Sequence, residues 1–364
     1  MIRILDRYIA KRFLLALMAT IVSFTVIVFV VDFVERGWRL TQRYDVPLHV
    51  MAIYYANYLP FYVILAFPVA MLVSTLFAIG ALAKNRELDV MKASGQSLYR
   101  IAAPILIAAF VISVGIMFFG EFVLTKTERR KDEIKSTLIE KKPQVSKLTR
   151  HDIKVPGRDG WIIIGDSYDV TEGIALGVRV HRILNNKIVK TFTAQKMIYS
   201  DSGWVLIDGS GQEFVGPRED ISTEFVKFDT LWAPFLSQTR AMLAELPIPP
   251  RQINFLDLLR RIRQEKELGL EVFKDQVELY LKITFPFASF ILVLIGAPLA
   301  ANPRRSGPSV GFGISIIISF IFFVLIRIGQ SLGNAGMLPP LLAASLGDIV
   351  FLLVGAVLMY KARK

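Results

Sequence analysis

The sequence predicts a membrane α-helical protein with six transmembrane helices and an all-β domain inserted between the third and the fourth. Three observations predict it. Of 364 residues, 53% are hydrophobic and the mean hydropathy is +0.48, too apolar for a soluble chain of this length. Apolar runs of spanning length recur along the chain, and a crossing helix needs roughly 20 such residues. Between two groups of these runs the texture changes to short, alternating, turn-punctuated segments.

Five stretches carry no charged residue: 13–31, 46–83, 101–120, 283–303 and 306–326; a sixth, roughly 338–360, is interrupted only by Asp348. Stretch 46–83 exceeds one crossing, and Pro47, Pro60 and Asn57 predict an interfacial lead-in to a helix at about 62–83. The first stretch reads as a span rather than a cleaved leader, because no small-residue cleavage site follows it. Lysine and arginine set the orientation. Arg3, Arg7, Lys11 and Arg12 precede span one, and Lys84, Arg86, Lys92 and Arg100 lie between spans two and three. Arg304 and Arg305 separate four and five, and Lys361, Arg363 and Lys364 follow six, whereas 332–337 has no basic residue. Both termini are therefore expected in the cytoplasm and 121–276 outside it.

Within that block, "GWIIIGDSY", "IALGVRVHRI", "KIVKTFTAQKMIYS", "GWVLIDGSGQEFV" and "STEFVKFDTLW" alternate as strands do. Asn185-Asn186, Asp201-Ser202-Gly203 and Gly209-Ser210-Gly211 supply the turns, which predicts a sandwich or open barrel over about 140–245. After "ELPIPPRQ", Phe255, Leu258, Leu259 and Ile262 recur at helical period and lead to span four. Trp161, Trp204 and Trp232 are expected in the core or rim of the β domain, and Trp38, Tyr44 and Tyr58 in an interfacial belt.

The net charge of +12 is accounted for by cations held at membrane surfaces, so no nucleic-acid partner is expected. The absence of cysteine excludes disulfides and thiolate metal sites, and His49, His151 and His181 are too dispersed to ligate one metal. There is no G-x-x-x-x-G-K-[ST] phosphate loop, and Ser94 and Ser97 sit in no nucleophile elbow. "SVGFGISI" reads as small-residue helix packing. No catalytic role is expected for this chain.

One segment is unlike a plain connection. In "AKNRELDVMKASGQSLYR" (83–100), Asn85 can cap a helix, Glu87 and Asp89 sit in its first turn, Lys92 in its last, and Gly95 can close it. Glu87, Met91 and Ser94 share a face, with Leu88 beside Met91. A helix with marked ends is expected to be gripped by a partner. The competing role, an interfacial helix on headgroups, is disfavoured by two acids facing an anionic leaflet. A second set is basic at the other end of the membrane: Arg36, Arg39 and Arg43 after span one, Lys282 entering span four, and Arg327 near the end of span five. Such cations bind phosphate-bearing lipid or pair internally, and Asp32 and Glu35 lie close to Arg36. Asp348 is expected to pair with a neighbouring helix or sit in a wet position rather than relay protons.

The pattern E-L-x-x-M-x-x-x-G-x-S after span two resembles the lipopolysaccharide export permeases of the LptF/LptG family. So do "LDRYIAKRFL", "YLKITFPFA", "GMLPPLLAA" and "TAQKMIYSDSGWVL", in order and across essentially the whole chain. Asp6 in "LDRY" is more like the LptG branch, which outweighs "ANPRRSG", more like its paralogue. The resemblance implies an LptF–LptG heterodimer over two copies of the cytoplasmic ATPase LptB, with LptC and the periplasmic bridge LptA. The chain itself then holds no cofactor, ATP and magnesium being bound by the ATPase. It implies spans one to three over 1–120 with a coupling helix at 84–97, a periplasmic jellyroll-like domain with helical connectors over 121–276, and spans four to six over 277–364. Glu87, Leu88, Met91, Ser94 and Gly95 would meet the ATPase. Arg36, Arg39, Lys282 and Arg327 would meet lipid phosphates, with lateral openings between span one and span five of the paired subunit. The rival classes are a proton-coupled secondary transporter and a membrane-anchored periplasmic scaffold or sensor.

Overall fold

A computed structural model describes residues 4–140, 149–184, 187–200, 203–214, 222–244, 248–267, 270–301 and 308–362. Asn185, Asn186, Arg304 and Arg305, and most of "ANPRRSG", lie outside the described residues. The chain divides into two compact units, one of residues 1–139, 250–258 and 273–364, the other of 140–249 and 259–272.

Among the described residues the first unit holds six helices long and apolar enough to cross a membrane. Span one is α1 (Ile4–Asp32), continued through a π-helical turn, Phe33–Gly37, into α2 (Trp38–Tyr44). Span two, α3 (Leu48–Lys84), is one unbroken helix rather than an interfacial lead-in followed by a shorter span. Its 37 residues include Pro60 and Pro68. Pro47 sits just before it, where a fixed φ and a missing donor cost least. A helix of that length reaches roughly 55 Å, well beyond a hydrocarbon core of about 30 Å. The surplus turns pack into an aromatic cluster: Tyr54, Tyr55, Tyr58 and Tyr62 are buried with Val46, Met51 and Ile139. Tyr58 is thus a core residue, not part of a belt, its ring 4.5 Å from Tyr62 and under the Lys131 ammonium at 4.4 Å.

After α4 (Glu87–Ala93), span three is α5 (Leu98–Phe119). It runs on through a π turn at Gly120–Leu124, α6 (Thr125–Ile134) and a second π turn at Lys135–Ile139. The membrane unit therefore extends to Ile139 instead of ending at 120, and takes in 250–258 on the return. Polar contacts hold that return segment: Gln252 donates to Asp132 at 2.5 Å, and the Phe255 backbone N–H donates to Glu121.

After the short α7 (Arg240–Ala244) and α8 (Phe255–Glu267), α9 (Phe273–Ala300), α10 (Pro308–Asn334) and α11 (Pro340–Lys361) complete the spans. α3 is the central helix, with Met71, Leu72, Ile79 and Leu82 fully buried against α1, α9 and α10. Small residues set the close crossings, as expected where apolar surroundings give no hydrophobic gain. A Cβ on Gly296 would lie 3.0 Å from Leu72, and one on Gly329 would collide with the Ala343 carbonyl. Because α10 continues to Asn334, Arg327 lies within the span rather than at its end.

Among the described residues the second unit contains one six-stranded antiparallel sheet in sequential order, β1 to β6. Its strands are Thr149–Pro156, Trp161–Asp169, Ile174–Leu184, Lys187–Ser200, Gly203–Phe214 and Ser222–Ala233. The inserted all-β region is there, and among the described residues its order is a meander, without the strand crossings of a full jellyroll. Period-two alternation buries one face: Ile163, Val178, Val180, Met197, Trp204 and Leu206. Leu236 and Leu243 in the segment after β6 pack on it. Gln238 seals the join, its amide donating to the Val155 and Trp161 carbonyls at 3.2 Å. Trp161 and Trp204 are core; Trp232 is an exposed rim residue.

Candidate functional site

The marked helix between spans two and three is α4, and its start differs from the sequence expectation. Asn85 does not cap it: Arg86 is the N-cap residue, with left-handed φ of 58°, and the Asn85 amide donates instead to Glu87 Oε1 at 3.2 Å. The C-terminal closure has the form glycine allows, with Gly95 at φ +85° and the Gly95 and Gln96 N–H groups donating to Lys92 and Met91 carbonyls.

Two of the anticipated contact residues turn inward. Leu88 is 1% exposed and belongs to the membrane core, with Met91 partly buried against it. Glu87 is engaged by span one: Tyr8 donates to Oε2 at 2.9 Å and Arg12 pairs with Oε1 at 3.3 Å. Burial alone would push the Glu87 carboxyl up, but the bonds from Tyr8, Asn85 and Arg12 outweigh it and hold it below the ordinary carboxylate range. A second link runs beside it, Arg100 to Asp6 at 2.8 Å, and Tyr99 donates to the Met359 carbonyl at 2.9 Å. Span one, α4, span three and span six are thereby tied at one end.

The outward face of α4 is Asp89, Val90, Ala93 and Ser94, with Arg86 at its start. Val90, 70% exposed, was missed by sequence reasoning. The signal was present: an apolar residue, with Ala93 and Ser94 three and four positions later, flanked by charges. What hid it was that Leu88 is the stronger apolar residue, and only packing shows which of the two the core takes.

The basic set does not converge. Arg36 pairs with Asp32 at 3.5 Å, its side chain 63% exposed, and Tyr55 donates to the same carboxylate at 3.4 Å. Arg39 donates to the Glu35 carbonyl at 2.5 Å, and Arg43 lies over the Tyr44 ring. Lys282 pairs with Glu121 at 3.3 Å. It shares a cleft with Arg327, among Phe61, Ile64, Phe285 and Phe323. Asp348 meets no cation among the described residues, so the expected pairing with a neighbouring helix is not formed. Among the described residues no three acids or histidines group as metal ligands would.

Comparison with known proteins finds matches along nearly the whole chain. The family model described as "Lipopolysaccharide export system permease LptF/LptG" matches residues 7–361. The chain is 23% identical to the lipopolysaccharide export system permease protein LptG of Escherichia coli strain K12, over 98% of both chains. It is 22% identical to the protein of that name from Haemophilus influenzae, over 97% of each. The chain belongs to the LptF/LptG permease family, and it is a multi-pass membrane protein.

Proposed function

We propose that this chain is the LptG-type permease subunit of an ATP-driven exporter, which extracts lipopolysaccharide from the outer leaflet of the inner membrane and passes it on through its β domain. The termini and α4 face the cytoplasm in this reading, and the β domain faces the periplasm. The paired subunit is LptF, two copies of LptB hydrolyse ATP, and LptC and LptA receive the lipid.

The observation that carries the reading is the two-sided character of α4. Its outer face offers Val90 and Ala93 to a partner, while its inner face is bolted to span one through Glu87, Arg12 and Tyr8. A push or pull on that outer face reaches span one directly, and span one is the helix that would line a lateral opening. Glu87 in this reading transmits rather than binds, while Ser94 and Gly95 shape the docking surface with Val90 and Met91 backs it from the inner side. Arg36 and Arg39, at the far end of span one, are the cations proposed to meet the phosphates of the lipid; the Arg36 guanidinium is exposed, and Asp32, its largely buried partner, keeps the Tyr55 hydroxyl when the arginine turns to a ligand.

Coexpression with LptF and LptB tests it. Tagged wild-type chain is expected to retain LptB. Val90→Asp is expected to lose it by at least tenfold at unchanged permease level, because it places a charge in an apolar contact. Full retention by Val90→Asp together with normal export overturns the docking face.

A further inference from the structure

Arg327 stands seven residues before the end of α10, roughly 10 Å inside the helix at a rise of about 1.5 Å per residue. It is exposed, and its guanidinium donates to Gln330, a neutral partner, at 3.1 Å. A cation at that depth is costly unless it meets an anion. The acids of the neighbouring cleft are already engaged: Glu121 by Lys282, Glu278 by Arg251, and Glu128 by Lys131. Arg327 is the cation left over, and it has no carboxylate partner among the described residues.

Two apolar hollows flank it. One, of about 360 Å³, lies between spans two, three, four and five, with Phe61, Ile64 and Phe285 in its walls. The other, of about 460 Å³ and more open, is walled by Phe320, Val324 and Ile328 on span five. Both are bordered by Phe323 and Arg327. We propose that this face binds one diacyl glycerophospholipid, its phosphate on the Arg327 guanidinium and one acyl chain in each hollow. The guanidinium fork matches phosphate oxygens, and the three closed ion pairs leave one positive charge for one phosphate. A fatty acid would fill one hollow and leave the other empty. A lipopolysaccharide carries more chains than two hollows of this size take, each being near the low end of the ~300–1,000 Å³ usual for small ligands. The site uses neither Arg36 nor Arg39, and because span five also borders the lateral opening of the export reading, lipopolysaccharide is included as a competitor below.

The test is native mass spectrometry of the full chain released from nanodiscs of phosphatidylethanolamine and phosphatidylglycerol. One retained phospholipid per chain is expected, with retention at least tenfold lower in Arg327→Gln and within about threefold of wild type in Arg327→Lys. On the unaltered chain, where no variant has to fold, a one-chain lysophospholipid is expected to compete at least tenfold less well than its diacyl parent. Arg36→Gln with Arg39→Gln should leave retention unchanged. Retention indifferent to Arg327→Gln in a folded chain, or equal competition by lysophospholipid, overturns the site. Loss of the phospholipid in the Arg36 and Arg39 variant also overturns it, by moving the lipid to the export surface. Displacement by an equal amount of lipopolysaccharide, again through Arg327, assigns the anion to the wrong source and overturns it as well.

Discussion

The two ends of span one handle charge differently. At the end beside α4, the ion pairs join residues far apart in the chain: Arg12 to Glu87 and Asp6 to Arg100. At the other end of span one, the arginine contacts are local, Arg36 to the Asp32 carboxylate and Arg39 to the Glu35 backbone carbonyl, within single helical turns. Long-range pairs make separate helices move together. Local pairs leave each cation on its own helix, where a ligand can compete for it. In the proposed function one end of span one transmits and the other binds.

The largest effect expected from disturbing this contrast is at the transmitting end. Glu87→Lys sets a cation against Arg12 and is expected to reduce export at least tenfold while α4 still retains LptB. Charge exchange, Arg12→Glu with Glu87→Lys, should recover most of the loss, as measured by lipopolysaccharide delivery from reconstituted vesicles. Loss of LptB retention in Glu87→Lys, without rescue by the exchange, would make Glu87 a docking residue and blur the contrast.

At the binding end the effect should be smaller and of a different kind. Arg36→Gln with Asp32→Asn should fold normally, because both charges leave together and the asparagine carbonyl can still accept from Tyr55. Photocrosslinking of lipopolysaccharide from position 39 is expected to fall severalfold in that variant. Full crosslinking and full export would return Arg36 to a structural ion pair.

A pH titration sharpens the comparison further. The Glu87 carboxyl titrates below its ordinary value of 4.5, so its contribution is complete above that value and disappears as pH falls through the lower, folded-state one. Spin-label distances between α4 and span one should hold at pH 5 and lengthen only in stronger acid. Lengthening already between pH 6 and 5 would show that Glu87 is not held by Arg12 and Tyr8.

The smallest effect is expected in the β unit, used here as a reference region. Burial, with Arg179 nearby, pushes the His181 imidazole down from 6.5, and its Nδ1 lies 2.9 Å from the Thr191 hydroxyl. The unfolded chain then binds the proton more readily, so stability is full above 6.5 and declines as pH falls below it. The β-unit melting midpoint should drop by a few degrees from pH 7.5 to 5.5, and His181→Gln should flatten that slope. An unchanged slope would remove His181 as its source.

The sequence by itself determined the number of spans, the inserted sheet and the existence of α4, because each follows from local periodicity, charge-free length and turn residues. Gly95 as the helix closure and Trp161 and Trp204 as core residues were legible for the same reason. Tertiary structure decided which face of each element is used. Leu88 rather than Val90 enters the core because α4 is rolled by the pull of Arg12 and Tyr8 on Glu87, and those partners lie 75 and 79 positions away. Pro60 does not end span two, because the buried tyrosines on either side give that stretch packing partners a local pattern cannot contain. Lys282 is closed by Glu121 while Arg327 meets Gln330 and, among the described residues, no carboxylate, a distinction set by which helices adjoin and not by the residue types. Local sequence encodes what an element is. What its side chains meet depends on residues distant in the chain, and only the packed fold brings those together.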